Sequence, residues 1–133
     1  MITANRTLLQ TFEWHTRTNP PHYIRLNELL PKLANLGITS IWLPPGCKAN
    51  NPDGNGYDIY DLWDLGEFDQ KGARRTKWGS KEELDRLLRT AKDHGIDVVW
   101  DAVINHKQAG DRTESGVWAV EVDKEGMLES FKV

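Results

Sequence analysis

The sequence predicts an α/β fold in which parallel strands alternate with helices. Three observations support this class. Short, mainly apolar segments end at turn-forming residues, two segments between them have helical periodicity, and the two kinds of segment alternate along the chain. The order strand, helix, strand, long loop, helix, strand is the one that builds parallel βαβ units. The 133 residues match the length of one ordinary domain or of part of one.

Three segments have the composition of strands. The first, Thr7–Trp14, ends before a turn-forming stretch, and the second, Ile38–Pro45, is apolar and closed by two prolines. The third is Ile96–Ile104. The last two segments contain few polar residues, which is typical of strands buried on both faces. The segment VWAVEV, further along the chain, is a possible additional strand.

The first predicted helix covers Tyr23–Leu36, where leucines recur at three- and four-residue spacing. Gly37 follows as the expected C-terminal cap. Pro31 lacks a backbone donor and clashes with the preceding turn, so we expect a kink near Leu30 or two short helices.

The second predicted helix has clearer boundaries. Ser80 and Glu83 have the spacing of a capping box at its start, and Gly95 marks its end. Between them, leucines and an alanine fall on one face, so this helix is expected to pack against the strands.

Composition and charge exclude several classes of function. The 17 basic and 20 acidic residues give a net charge of -3, and the basic residues are scattered, so no nucleic-acid partner is expected. No run approaches the ~20 apolar residues of a membrane span, so no membrane association is expected. The N-terminus has no secretory signal pattern, and Cys47 is the only cysteine. We therefore expect a cytoplasmic protein.

Polar residues follow two of the predicted strands at their carboxyl ends. Gln10 and Trp14 lie at the end of the first strand, and Asp101, Asn105 and His106 interrupt the third. Ligands of parallel α/β folds bind at this edge of the sheet, because several loops converge there. We therefore expect these side chains to line one site.

The three polar residues of the third strand each have two interpretations. Asp101 lies in an apolar segment and needs a partner, such as an arginine or several hydrogen-bond donors; it could equally be a structural carboxylate that bridges strands. Asn105 offers an uncharged oxygen suited to calcium or forms a turn. His106 donates to a ligand hydroxyl or to a local acceptor. Spacing alone leaves these choices open.

The long connection from Pro44 to Gly79 has no clear helix, and a loop of this length is usually functional. Four aromatic residues are interleaved there with four acidic ones: Tyr57, Tyr60, Trp63 and Phe68 with Asp58, Asp61, Asp64 and Glu67. Aromatic faces beside carboxylates suit a carbohydrate, which has apolar C–H faces and hydroxyl edges. For most of these rings we also expect packing into a small satellite core.

Four segments together resemble the α-amylase family of glycoside hydrolases, in particular the liquefying bacterial type and its intracellular fungal relatives. They are LLQTFEW, GITSIWLPP, GYDIYDLWDLGEFDQKGARRTKWGSKEEL and DAVINHK, and the resemblance runs from about Thr7 to Asp123. It implies a (β/α)8 TIM barrel with a calcium-binding domain inserted after the third strand. It also implies cleavage of α-1,4-glucosidic bonds in starch or glycogen, with retention. Residues 1–106 would then be the N-terminal part of the barrel, and residues 107–133 the start of the inserted domain.

The resemblance assigns roles to individual residues. Asn105 resembles the family's calcium ligand, and His106 the histidine that hydrogen-bonds the sugar before the scissile bond. Tyr57 resembles the tyrosine that stacks on that sugar. Asp101 resembles the aspartate that supports the catalytic centre by pairing with an arginine. Ala102, where the family usually has a valine, changes only volume within the strand.

The resemblance also implies what this chain lacks. Gln10 and Trp14 match positions that line the cleft, but the nucleophile, the acid/base and a third carboxylate belong to strands four, five and seven. The chain ends at Val133, before strand four. We therefore expect the N-terminal third of an α-amylase, inactive alone, with weak or no calcium binding. Unpaired strands would favour self-association or a complementing C-terminal segment. The alternative is a non-catalytic module that binds glucan or a protein partner.

Overall fold

The computed structural model describes residues 5–112, 115, 118–122 and 128–132. The elements run in this order: β1 Leu8–Gln10, α1 His22–Asn35, β2 Ser40–Leu43, β3 Lys48–Ala49, β4 Ile59–Asp61, α2 Lys81–Asp93, β5 Asp97–Trp100, β6 Trp118–Val122 and β7 Leu128–Lys132. Neither α1 nor α2 is long and apolar enough to cross a membrane, and the described residues contain no other helix.

Strands β1, β2 and β5 form a parallel sheet with β2 in the middle, as the α/β prediction requires. The middle strand is buried, with Ile41 and Leu43 fully inaccessible. The prediction that β5 is buried on both faces is wrong. Its residues alternate between exposed and half-buried, and Val99 is 44% exposed, because β5 lies at an edge of the described sheet. Ile104, predicted within this strand, lies beyond its end and is exposed.

Helix α1 is a single helix, so the alternative of two short helices is wrong. Pro31 lies inside it and removes one backbone hydrogen bond. The buried side chains of Leu26 and Leu30 pack into the core on both turns that precede the proline, and this burial offsets the lost bond. Gly37 ends the helix as predicted, with φ +85° and its N–H bonded to the Ala34 carbonyl.

Helix α2 begins with the predicted capping box. The Glu83 backbone N–H donates to Ser80 Oγ at 3.3 Å, and the Ser80 N–H donates to Glu83 Oε2 at 2.9 Å. Gly95 follows the helix with φ +68°, in the left-handed region where glycine carries no steric penalty. The sequence therefore fixes both ends of this helix locally.

The two helices pack on each other, and one hydrophobic core joins them to the sheet. Its buried members are Tyr23, Leu26, Leu30, Ile41, Leu43, Trp78, Leu84, Leu87, Ala91 and Ile96. Trp78 anchors the start of α2 to the end of β2, because its indole N–H donates to the Pro45 carbonyl at 2.9 Å. The core thus fixes where the loops after the strands begin.

The long connection between β2 and α2 contains no helix, as predicted, but it contains two short antiparallel strands, β3 and β4. The predicted strand in VWAVEV is confirmed as β6, which pairs antiparallel with β7. The boundary placed at residue 106, between a barrel segment and an inserted domain, stays a prediction.

Candidate functional site

The predicted site residues come from three places in the fold. Gln10 ends β1 and Trp14 lies in the loop after it, Tyr57 lies in the long connection just before β4, and Asp101 and His106 follow β5. Because β1, β2 and β5 are parallel, the loops after β1 and β5 leave the same edge of the sheet. The long connection reaches over to that edge.

Tyr57 joins the residues that follow β5. Its hydroxyl donates to Asp101 Oδ2 at 2.8 Å, and its backbone carbonyl lies 2.7 Å from His106 Nε2. A carbonyl only accepts, so Nε2 carries the proton in that bond. His106 is exposed, and its Nδ1 stays available to a ligand.

The Tyr57 hydroxyl is a firm donor. Burial, the hydrogen bond to Asp101 and the charge of that carboxylate raise the pKa of Tyr57 to about 12. It therefore remains protonated at neutral pH and keeps donating. The half-buried carboxylate of Asp101 has the partner that its place after an apolar strand requires, and this partner is a phenol. No arginine among the described residues forms an ion pair with Asp101.

Trp14 stacks beside Tyr57. The ring centroids are 6.0 Å apart and the planes differ by 7°, while Trp14 is 64% exposed. The Trp14 carbonyl accepts from Asn55 Nδ2 at 3.1 Å and from Lys77 Nζ at 3.4 Å, and these two side chains also bond to each other. The two nearly parallel rings thus present an aromatic face, and Asn55 and Lys77 fix the backbone that carries Trp14.

Two open clefts border this aromatic pair. One, of about 250 Å³, is lined by Gln10, Phe12, Glu13, Trp14, Asn55 and Tyr57. The other, of about 430 Å³, is lined by Trp14, Asp53, Gly54, Asn55, Tyr57, Asp58 and Gln108. Three predicted residues therefore share one cleft, and aromatic faces stand beside amide and carboxylate groups, the mixture that a sugar needs. In this cleft, Gln10 Nε2 donates to the Phe12 carbonyl at 2.9 Å.

Asn105 directly precedes His106 but lines neither of the two clefts. Its side chain is exposed, and no hydrogen bond joins it to the rest of the described chain. Among the described residues, no group of three or more His, Cys, Asp or Glu side chains is arranged to hold a metal. Asn105 can therefore offer one oxygen to a cation, whereas calcium takes six to eight.

The aromatic residues of the long connection do not form a satellite core, and that prediction is wrong. None of the four rings is buried, and Trp63 is 85% and Phe68 55% exposed. A buried ion pair, Lys48 with Asp64, occupies the interior instead, with side chains 4% and 0% exposed and N–O separation 3.2 Å. Sequence reasoning missed Lys48, because nothing in its neighbourhood distinguishes it from a solvated lysine.

Asp64 is the most heavily bonded side chain of this loop. Burial alone would raise the pKa of its carboxyl, but bonds from the Gln70 side chain, the N–H groups of Glu67 and Gly66, and Lys48 lower it below its ordinary value. Asp64 is thus held as the ionised partner of Lys48 at neutral pH.

Sequence reasoning also missed Asn55 and Lys77. They contact Trp14 across 41 and 63 positions of the chain, so no local spacing marks them. Their only signal is that both lie in the long connection that was expected to be functional.

The parallel sheet, with a cleft at the carboxyl ends of its strands, makes this an α/β protein. The sequence profile of the family described as "Alpha amylase, catalytic domain" matches residues 25–119. The chain is 47% identical over 119 residues to an α-amylase of Bacillus licheniformis, and 44% identical over 120 residues to a glucan 1,4-α-maltohexaosidase of Bacillus sp. strain 707. Each match covers 90% of this chain and 23% of the relative. The chain belongs to the α-amylase family of glycoside hydrolases.

Solved structures agree with the fold. A trehalose-6-phosphate hydrolase of Bacillus licheniformis superposes with a TM-score of 0.57 at 27% identity, over 77% of this chain and 17% of that one. An alternansucrase of Leuconostoc mesenteroides gives a TM-score of 0.66 at 20% identity, over 78% and 10%, and shows the fold alone. The chain thus spans less than a quarter of the length of the relatives described above.

Proposed function

We propose that the full-length protein containing this chain hydrolyses α-1,4-glucosidic bonds of starch or glycogen, with retention of configuration. The observation that carries the proposal is the cluster around Tyr57, where a stacked aromatic pair, a carboxylate and a histidine meet at one edge of the sheet. The family of the chain and the α-amylase relatives support the reaction class. An α-glucan is accordingly the proposed substrate, and no nucleic acid or membrane takes part.

The residues of the cluster have separate roles in this proposal. Trp14 and Tyr57 stack on the apolar face of a glucose ring, and Gln10 lies in the same cleft to bond a hydroxyl. His106 keeps Nε2–H on the Tyr57 carbonyl and accepts a sugar hydroxyl at Nδ1. Because a sugar hydroxyl both donates and accepts, the neutral imidazole suffices for this contact.

Asp101 supports the site and does not cleave. Its Oδ2 already accepts from Tyr57, and this bond fixes the stacking ring. A retaining hydrolase needs two carboxylates ~5 to 5.5 Å apart across the bond that breaks. We assign the nucleophile and the acid/base to parts of the full-length protein outside these 133 residues. The chain alone is then inactive, and residues 1–106 are the N-terminal part of a (β/α)8 barrel that a C-terminal segment completes.

Calcium is proposed as a structural ion, with Asn105 supplying one of its ligands. The amide is exposed and unbonded within the described chain, so its oxygen is open to a hard cation. No catalytic step is assigned to the ion. Residues 107–133 would begin the domain that supplies further ligands. If Asn105 is a ligand, Asn105→Ala should reduce the rise in melting temperature that calcium gives the full-length protein.

A cytoplasmic location is proposed from the single-cysteine sequence and from one relative. The chain is 42% identical over 112 residues to a protein named cytoplasmic α-amylase in Escherichia coli, a match that covers 84% of this chain and 23% of the relative.

The proposal is tested by measuring reducing sugar released from soluble starch. The full-length protein should be active, His106→Ala should lower kcat/KM at least tenfold, and the 133-residue chain should release none. The stacked pair, in which Trp14 is exposed, also favours a second function, a non-catalytic glucan-binding module. Saturable sugar binding by a full-length protein that releases no reducing sugar would support that module and contradict hydrolysis.

A further inference from the structure

Lys48 lies in an oxygen-lined enclosure inside the long connection. Its Nζ is 3.2 Å from Asp64 Oδ2 and 3.0, 2.8 and 2.6 Å from the carbonyl oxygens of Phe68, Ala73 and Arg74. The lysine side chain is only 4% exposed. We call these four oxygens the Lys48 cage.

The Lys48 cage has the chemistry of a cation site. A carboxylate with several backbone carbonyls is the ligand set that hard cations take in proteins. Here the ammonium of the lysine side chain occupies it, and its three N–H groups face all four oxygens. The oxygens of Asp64 and Ala73 also accept from Gln70. Asp64 balances the charge and is itself fixed by the N–H groups of Gly66, Glu67 and Phe68.

The cage is joined to the sugar-binding cluster through the hairpin of β3 and β4. The Lys48 N–H donates to the Asp64 carbonyl at 2.8 Å, and the Asn50 N–H donates to the Asp58 carbonyl at 2.9 Å. Tyr57 directly precedes Asp58. The hairpin that Lys48 holds at one end therefore carries, at the other, the ring that bonds Asp101 and His106.

We propose that Lys48 is a positioning residue for the Tyr57 cluster, acting as a tethered cation that shapes the long connection. Without the positive charge, the buried Asp64 carboxylate faces three carbonyl oxygens with no cation between them. The hairpin then loosens, so Tyr57 loses its fixed place against Asp101. The inference rests on the proposed function only in taking a maltooligosaccharide as the ligand of the cluster.

Chemical rescue of Lys48→Ala in the full-length protein tests the tethered cation. Ammonium fits the emptied cage, whereas tetramethylammonium at equal ionic strength does not. We expect ammonium to raise the melting temperature of the variant by several degrees more than tetramethylammonium does. Ammonium should also raise the affinity of the variant for a maltooligosaccharide at least tenfold, toward that of the unsubstituted protein. The control is Lys71→Ala, because Lys71 also bonds a carbonyl and a carboxylate, Ala109 and Asp111, at a more open place.

Equal responses to the two salts in Lys48→Ala would overturn the proposal, as would an equal ammonium response in Lys71→Ala. If Lys48→Ala is recovered only as aggregate, refolding into each salt makes the same comparison. Recovery specific to ammonium supports the cage, and failure in both salts overturns it. Absence of sugar binding by the unsubstituted protein would contradict the proposed function, while the melting temperatures still decide the cage.

A double-mutant cycle tests the connection to Tyr57. We expect the loss of melting temperature caused by Tyr57→Phe to be at least halved in a Lys48→Met background, because the hydroxyl no longer meets Asp101 reliably. Additive losses would contradict the positioning role and leave Lys48 a purely local stabiliser.

Discussion

At the level of single residues, Tyr57 contacts several neighbours through both its side chain and its backbone. Its ring stacks beside Trp14, its hydroxyl donates to Asp101, and its carbonyl accepts from His106. The sequence predicted a stacking ring at Tyr57 and a carboxylate in need of a partner at Asp101. It could not show that they meet, because Tyr57 and Asp101 are 44 positions apart.

The first prediction concerns the Tyr57 hydroxyl. Tyr57→Phe keeps the ring but leaves the half-buried Asp101 carboxylate without its side-chain donor, so we expect a loss of about 1 kcal/mol in the free energy of unfolding. Urea denaturation of the full-length protein measures it. The control is Tyr60→Phe, whose hydroxyl donates to the exposed Asp111, where water replaces it. An equal or larger loss in Tyr60→Phe would contradict the account of Tyr57.

For the secondary-structure elements, the sequence correctly predicted the features that depend on neighbouring residues in the chain. The capping box, the glycine after each helix and the apolar face of α2 all appear as expected. The prediction failed where long-range contacts decide. Pro31 lies within one helix because Leu26 and Leu30 are buried, and the loop interior is filled by Lys48 and not by aromatic rings.

The second prediction concerns the start of α2. Ser80→Ala removes the oxygen that accepts a hydrogen bond from the Glu83 N–H. It should lower the free energy of unfolding by about 1 kcal/mol. The matched control is Thr90→Ala in the same helix, whose exposed hydroxyl only bonds back to the Arg86 carbonyl. Thermal or urea unfolding should separate the two variants. A loss in Ser80→Ala no larger than in Thr90→Ala would show that the cap does not matter.

The third prediction concerns pH and helix α1. Burial, with a smaller contribution from Arg25, lowers the pKa of His22 from 6.5 to about 4. Below pH 6.5, His22 binds a proton in the unfolded chain but not in the folded chain. The free energy of unfolding therefore falls as the pH drops from 6.5 to 4 and then levels off. The loss is on the order of 3 kcal/mol.

Unfolding of His22→Gln across that pH range checks this contribution. The substitution should remove most of the decrease in the free energy of unfolding between pH 6.5 and 4. The same change at the exposed His94 should leave that decrease in place. An unaltered slope in His22→Gln would assign the acid sensitivity to other groups.

At the scale of the whole molecule, the described sheet has two open edges. Strands β1 and β5 each pair on one side only, and Leu8 and Val99 are 55% and 44% exposed. The sequence anticipated these edges through the resemblance to a barrel family, since three strands cannot close a barrel. Periodicity alone predicted buried strands, because an apolar sequence does not state which neighbours cover it.

The fourth prediction follows from these edges. The isolated 133-residue chain should self-associate as its concentration rises, and Val99→Lys on edge strand β5 should reduce the association. Leu36→Lys, at the exposed end of α1, changes charge equally and should reduce it less. Sedimentation velocity over a hundredfold range of concentration measures both. A monomer throughout that range would contradict the role of the edges.

Titration of a maltooligosaccharide into the full-length protein, followed by tryptophan fluorescence or calorimetry, tests directly whether the cluster around Tyr57 binds the sugar. We predict saturable binding that weakens roughly tenfold in Trp14→Ala and is lost in Tyr57→Ala. Trp63 is an exposed tryptophan outside the cluster, so the affinity of Trp63→Ala should stay within about twofold of the unsubstituted protein. Equal effects of Trp14→Ala and Trp63→Ala, or full affinity in Tyr57→Ala, would contradict the claim that this cluster binds the sugar.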